Sequence, residues 1–213
     1  MDVATIIVNY RTPAATIDAT VKGVELRLCT APGLFSPRAV DVGTLAMLSR
    51  VDFGAEDKVL DLGCGYGVVG LVAARLGRAD RVYLLDKDPS AVEMARVNLA
   101  TNDAAAATVV LSDGFRSFFE TGFDKILCNP PYQADFAVPK HFIEKGFNRL
   151  LVGGSLFMVT KRELWYRNKI TSVFGGVKVH AVDGYFVFEA TRKTLQYARR
   201  LPAAKPRRPR RDG

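Results

Sequence analysis

Between residues 57 and 161 the chain switches repeatedly between two apolar periods, and this alternation restricts its fold more than any other feature. The runs KVLDLG, DRVYLLD, ATVVLSD, FDKILCN and SLFMVTK have the length and composition of strands. Between them, apolar residues recur at helical spacing. VVGLVAARLG ends at Gly77, PSAVEMARVNLATN begins with Pro89 in its first turn, and VPKHFIEKGFNRLLVGG is stopped at Gly153-Gly154. Such alternation predicts a parallel sheet covered by helices on both faces. A further amphipathic helix covers roughly 162–174, and VKVHAVDGYFVFEA reads as two strands around Asp183-Gly184, a strong two-residue hairpin signal. Upstream, ATVKGVELRLCT (19–30) alternates around Gly23 as a β-hairpin. A loop follows over 31–43, then a helical pattern through Leu45, Leu48 and Val51. The expected architecture is a three-layer α/β sandwich. Its mostly parallel seven-stranded sheet carries an antiparallel C-terminal hairpin strand, and an N-terminal β-hairpin is added to it.

The length suits one well-packed domain, here residues 1–192 with 19–43 as its N-terminal hairpin and loop. No apolar run approaches the ~18–20 residues that span a bilayer. MDVATIIVNYRTP has neither a basic n-region nor a cleavage-site pattern, so no secretory signal is read. Cys29, Cys64 and Cys128 are odd in number and lack metal spacing. With only His141 and His180 beside them, both read as structural, no metal site is expected. A cytoplasmic protein without a membrane partner is the expectation. Residues 192–213 hold nine of the 30 Lys and Arg but one of the 22 acidic residues, which leaves the other 191 residues formally neutral. The Pro- and Arg-rich tail, 193–213, cannot bury apolar surface and is read as disordered. It reads either as a solubilising terminus or, better in this context, as a nucleic-acid-binding appendage, since clustered cations displace counterions from phosphates.

VLDLGCGYGVVG (59–70) sits where the first strand of the alternation turns into its helix. Gly63, Gly65 and Gly67 tolerate positive φ and let a ligand approach the backbone. Two frames compete. Gly65-x-Gly67-x-x-Gly70 matches the dinucleotide fingerprint, with Asp86 at a suitable distance for a ribose. Asp61-x-Gly63-x-Gly65-x-Gly67 resembles the first motif of class I S-adenosylmethionine methyltransferases. Asp61, Asp86 and Asp113 fall at three consecutive strand ends, on the edge where open α/β sheets bind ligands. Taken singly, each is equally an ordinary turn or cap residue. As a set they suit a cationic ligand, whereas Asp61 would repel a pyrophosphate, so charge favours the methyltransferase frame. In that frame Asp61 organises the loop and the amino-acid end of S-adenosylmethionine, Asp86 accepts from the ribose hydroxyls, and Asp113 from the adenine amino group. Cys64, Lys87 and Ser112 are their neighbours in the cofactor set.

FDKILCN ends at the same edge and runs into Asn129-Pro130-Pro131-Tyr132. Neither proline can donate to a ladder, and both stiffen the backbone. The Asn129 side-chain carbonyl and the Pro130 main-chain carbonyl make two acceptors in a fixed relation, which is what a planar exocyclic –NH2 needs if both its hydrogens are to be held. Holding them favours a pyramidal nitrogen with its lone pair on the methyl donor, while Tyr132 offers a face for stacking. Such a site works by orientation and polarisation rather than by a strong base.

NPPY closely resembles the motif of amino-group methyltransferases acting on adenine, guanine or glutamine amide nitrogens. With APGLFSPRAVDVGTLAMLSR upstream and GYFVFEA downstream, residues 19–192 look like the small-domain ribosomal RNA methyltransferases, which include bacterial 16S rRNA guanine-N2 enzymes. The resemblance implies that Phe35, Ser36 and the Asp41/Gly43 neighbourhood wall the cofactor and substrate, and that the partner is RNA, either small-subunit ribosomal RNA or the subunit particle. It departs from the two-domain members in lacking their additional N-terminal domain, and in Tyr132 where Phe is common. Lys161 and Arg162, after the fifth strand, are positioned for phosphate or base contacts, though a solvated helix start is an equal reading. An adenine-N6 enzyme on tRNA or DNA, a glutamine-N5 enzyme, an NAD-dependent oxidoreductase and a non-catalytic RNA-binding relative remain as alternatives.

Overall fold

The computed structural model describes residues 15–130 and 135–197. The elements in chain order are β1 (Ala15–Val21), β2 (Val24–Thr30), α1 (Val42–Leu48), β3 (Val59–Leu62), α2 (Val68–Leu76), β4 (Val82–Asp86), α3 (Pro89–Thr101), β5 (Thr108–Leu111), β6 (Phe123–Cys128), α4 (Ala137–Arg149), β7 (Leu150–Thr160), α5 (Glu163–Phe174), β8 (Lys178–Val182) and β9 (Tyr185–Thr191). β1 and β2 pair as a separate hairpin, and the other seven strands form one sheet in the order β5-β4-β3-β6-β7-β9-β8. The pairs from β5 to β7 are parallel, while β9 runs antiparallel to both β7 and β8. The expected sheet, with its antiparallel C-terminal hairpin, is present.

Period-2 alternation sorts the core into two layers. Leu60 and Leu62 of β3, Ile126 and Cys128 of β6, Met158 of β7 and Phe188 of β9 pack with Ile143 and Phe147 of α4 and Ile170 and Phe174 of α5. The intervening Val59, Leu127, Val159 and Val187 face α1, α2, α3 and the hairpin. Asp61 lies in the second set by register, which aims its carboxylate at the helix that follows its own strand.

The hairpin is tied on by side chains. Asn98 on α3 and Asn102, the C-cap one turn later, each accept one backbone N–H of β2 and donate to the carbonyl of the same residue. Asn98 does so at Cys29 (2.6 and 2.9 Å) and Asn102 at Arg27 (2.8 Å both). Two amides thus stand in for a neighbouring strand.

Four boundaries differ from expectation. β1 begins at Ala15 rather than near residue 19, and α1 ends at Leu48, with Val51 buried just beyond it. The helix expected to reach Gly153-Gly154 ends at Arg149, because Leu150–Gly154 already belongs to β7. Gly153 N–H donates to the Arg192 carbonyl and Arg192 N–H to the Gly154 carbonyl, both at 2.8 Å, so the glycines extend a ladder rather than stop a helix. Past the expected boundary at 192, Tyr197 stands edge-on to Phe147 and donates from its hydroxyl to the Glu144 carbonyl at 2.8 Å. Residues 198–213, most of the tail read as disordered, lie outside the described residues.

Candidate active site

The strand order reverses between β3 and β6: the chain leaves β3 toward β4 and β5, then returns to β6 on the other side. A crevice opens outside the carboxyl ends of the strands at such a switch point. The structure has there a cavity of about 370 Å³, within the ~300–1,000 Å³ usual for small-molecule sites. Among the described residues lining it, five are aspartates and one is a lysine, Lys87. The surroundings therefore favour a cation.

One wall is the turn after β3. Gly63, Gly65 and Gly67 all have positive φ, at 77°, 55° and 92°. Gly63 N–H and Cys64 N–H both donate to the Leu85 carbonyl, at 2.8 and 2.9 Å, which ties the turn to the end of β4. Helix α2 starts from the left-handed Gly67 without a side-chain cap of its own. Asp61 supplies the cap from the strand, accepting from Gly70 N–H at 2.9 Å. This carboxyl is buried. Desolvation, with a smaller push from Asp86, raises it to about 7 against the lowering effect of the Gly70 bond.

Asp86 accepts from Gly65 N–H (2.8 Å) with one oxygen and from Asp88 N–H (2.9 Å) with the other, so its side chain is pre-set beside the turn. Asp113 lies two residues beyond the end of β5 and pairs with Arg116 at 3.2 Å, with its carboxylate half exposed. Ser112 is buried. Its hydroxyl donates to the Gly114 carbonyl and receives Ser117 N–H, so it shapes the turn that carries Asp113. Burial pushes the Cys64 and Cys128 thiols well up, which makes both poor nucleophiles.

Asn129 and Pro130, at the end of β6, line the same cavity as the three strand-end carboxylates. The Asn129 amide nitrogen donates to Asp41 Oδ2 at 2.8 Å and to Thr44 Oγ1 at 3.0 Å, both from α1 and its cap. A carboxylate only accepts, so the NH2 end of the amide is the one turned to Asp41. Pro131 and Tyr132 lie outside the described residues.

The remaining expectations divide. Phe35 lines the cavity and is half exposed. Ser36 does not line it; it has φ 49°, and its carbonyl accepts from the Tyr66 hydroxyl at 3.3 Å. Burial pushes that phenol up to about 12 and keeps it a donor, so Tyr66 holds the Phe35–Ser36 loop against the glycine turn. Lys161 and Arg162 do not line the cavity either: Lys161 Nζ sits 4.9 Å over the Tyr185 ring and Arg162 5.4 Å over Phe136. Sequence reasoning missed Thr44, Tyr66 and Phe142 as site residues. The resemblance puts the Asp41/Gly43 neighbourhood in the wall of the site, and Asp41 lines the cavity, but its pairing with Asn129 spans 88 positions and has no signal in the sequence.

Residues 25–189 match the family model described as Methyltransferase small domain. The chain is 35% identical over 169 residues to a "Ribosomal RNA large subunit methyltransferase G" of Shewanella amazonensis, covering 76% of this chain and 44% of that protein. It is also 35% identical over 173 residues to a "Ribosomal RNA small subunit methyltransferase C" of Serratia proteamaculans, covering 78% and 49%. Among solved structures, the T. thermophilus 16S rRNA N2 G1207 methyltransferase (RsmC) in complex with AdoMet and guanosine superposes with TM-score 0.76 at 30% identity. That match covers 84% of this chain and 50% of the other. The chain spans about half the length of the relatives it matches.

Proposed function

The chain belongs to the methyltransferase small domain family, and from that premise we propose that it transfers a methyl group from S-adenosylmethionine to an exocyclic amino group of a base in RNA, with guanine N2 of 16S ribosomal RNA as target. One observation carries this reading: Asn129 and Pro130 stand at the rim of the same cavity as Asp61, Asp86 and Asp113. An amino-group acceptor pair and a cation-favouring cofactor pocket are thereby adjacent. The excess of aspartate over lysine also argues against a pyrophosphate ligand and hence against the oxidoreductase alternative. The similarity to enzymes named for ribosomal RNA supports the substrate class.

Bound S-adenosylmethionine supplies an electrophilic methyl on a sulfonium. In this reading Asp86 and Asp113 accept from the ribose hydroxyls and the adenine amino group, and ionised Asp61 favours the cationic end. The carbonyl oxygens of Asn129 and Pro130 accept the two amino hydrogens of the target, which directs the nitrogen lone pair at the methyl. Tyr132 and Phe35 offer apolar faces for the base. A base within structured RNA must be exposed or flipped to reach them. We assign Lys161 and Arg162, at the same sheet edge, and the basic tail to phosphate contacts.

The test is transfer of labelled methyl from S-adenosylmethionine by the wild type and Asn129→Ala. Acceptors are unmodified 16S RNA, assembled small subunits, tRNA and release factor, with nucleoside analysis of the product. Label in 16S RNA as N2-methylguanine, reduced ~10²–10³-fold in the variant, is the expected result. Label in tRNA or release factor overturns the substrate but keeps the mechanism. Full activity of Asn129→Ala overturns the mechanism.

A further inference from the structure

We propose that Asp41, assisted by Thr44, is a positioning residue for methyl transfer: it locks the Asn129 amide so that the carbonyl oxygen, not the NH2, meets the target amino group. The inference rests on the reading of Asn129 as an acceptor. The two ends of an asparagine amide are nearly the same size but opposite in function, one accepting and the other donating twice. Facing an –NH2 target, the wrong end sets hydrogen against hydrogen. Nothing in the Asn-Pro-Pro sequence decides between the two, so the decision must come from elsewhere in the fold.

The structure places it on α1. Asp41 Oδ2 accepts from two donors at once, Thr44 N–H at 2.9 Å and Asn129 Nδ2 at 2.8 Å. The first bond is an N-cap that fixes the carboxylate on the start of α1, whose Ala46, Met47 and Leu48 are buried against the sheet. The Thr44 hydroxyl, 3.0 Å from Nδ2, takes the second amide hydrogen. Turning the amide over would bring its carbonyl dipole against the carboxylate and forfeit the Asp41 bond; the Thr44 hydroxyl can turn to donate to either end, so the carboxylate sets the orientation and the hydroxyl supports it. A charged acceptor on the NH2 also polarises the amide and makes its carbonyl a stronger acceptor for the target. Asp41 touches no reacting atom in this scheme and acts through Asn129.

Three substitutions separate the lock from the cap. Asp41→Ser keeps an N-cap oxygen but is too short to reach Asn129. Asp41→Asn can place its carbonyl oxygen where Oδ2 sits and keep both bonds without the charge. Thr44→Val removes only the hydroxyl. Each is assayed on the RNA that the wild type labels in the panel above, with cofactor affinity by calorimetry and Tm measured in parallel. Loss of alignment by about an ångström costs ~10²-fold, and that fall in kcat at saturating S-adenosylmethionine is expected for Asp41→Ser, whatever the loss of one of the five cavity aspartates does to the Kd. Thr44→Val falls about tenfold and Asp41→Asn recovers to within about fivefold of wild type, as for partial loss of a supporting contact. The Asn129 side-chain NH2 protons, followed by NMR, exchange slowly in wild type and Asp41→Asn and fast in Asp41→Ser.

If Asn129→Ala is inactive while Asp41→Ser and Thr44→Val keep wild-type kcat, the lock is refuted and the acceptor reading stands. If Asp41→Asn is as impaired as Asp41→Ser, the charge rather than the orientation matters, and the lock is again refuted. Should Asp41→Ser lower Tm substantially, Thr44→Val and the amide exchange still decide.

Discussion

Asp61 holds the α2 N-terminus and also faces the cavity, and its burial couples the two roles. Its folded pKa, about 7 against an ordinary 3.8, means the folded protein retains a proton that the unfolded chain releases. The stabilising contribution is therefore complete below about pH 4 and is lost as pH rises through 7. A cation entering the cavity reverses the preference and releases that proton. The affinity for S-adenosylmethionine is expected to rise about tenfold from pH 6 to 8, with a fractional proton released at pH 7. Calorimetry in buffers of differing ionisation enthalpy reads both, and Asp61→Asn, which cannot titrate, isolates this contribution by its flatter profile. A second residue-scale prediction concerns Gly70. A Cβ there would lie 2.5 Å from Leu84 Cγ and Cδ2. Alanine gains about 1 kcal/mol in helix propensity but meets an overpacking cost of ~1–3 kcal/mol. Gly70→Ala should come out neutral to about 2 kcal/mol destabilised by thermal unfolding, and Leu84→Ala in the same chain should cost less than it does alone. That sensitivity belongs to the close approach of helix and strand, not to a ligand.

At the scale of elements, the hairpin depends on α3. Asn98 is fully buried and its amide serves three backbone groups, Cys29 N–H, the Cys29 carbonyl and the Tyr66 carbonyl. Leaving such groups unpaired costs ~1–3 kcal/mol each at most. Asn98→Ala is expected to lose about 3 kcal/mol, with a Tm drop of ~6–12 °C and weakened cofactor binding, because Tyr66 sits in the glycine turn. The Asn102 amide serves Arg27 of the hairpin and the Asn98 carbonyl in the last turn of α3 but no group of the glycine turn, so Asn102→Ala should speed hydrogen exchange in β2 without changing cofactor affinity. Both hairpin turns were legible in the sequence: Lys22-Gly23 and Asp183-Gly184 take positive φ at both central positions, as a two-residue turn requires. The start of β7 was not. Leu150–Gly154 is apolar and glycine-rich, which suits a helix end as well as a strand. What makes it strand is pairing with residues that lie beyond β9 in sequence. The Asn98–Asn102 ladder was equally hidden, since two asparagines on a helix read as surface until a strand is laid beside them.

For the whole molecule, the convergence of Asp61, Asp86 and Asp113 on one cavity was legible because each carboxylate sits at or near the end of its own strand, and a parallel sheet brings all such ends to one edge. The place of Asn129 was legible for the same reason, as it directly follows β6. Contacts across the cavity were not, because the Asp41–Asn129 bond and the approach of Tyr66 and Phe142 come from elements whose placement only the assembled fold decides. Charge is organised at this scale too. Residues 198–213 contribute seven Lys and Arg and one Asp, while residues 1–191 are neutral overall. If the tail supplies the phosphate contacts, truncation after Tyr197 should leave kcat at saturating RNA intact and weaken RNA affinity. The cut falls there because Tyr197 packs on α4. Each phosphate neutralised on single-stranded RNA adds about 0.7 to the slope of log K against log salt. Losing seven cations should then flatten the slope by up to about 5, read by anisotropy across a potassium chloride series. A slope unchanged by truncation would move the phosphate contacts onto the folded body. Lys161→Ala with Arg162→Ala should then reduce it by about 1.4, and the tail would be left without a part in RNA binding.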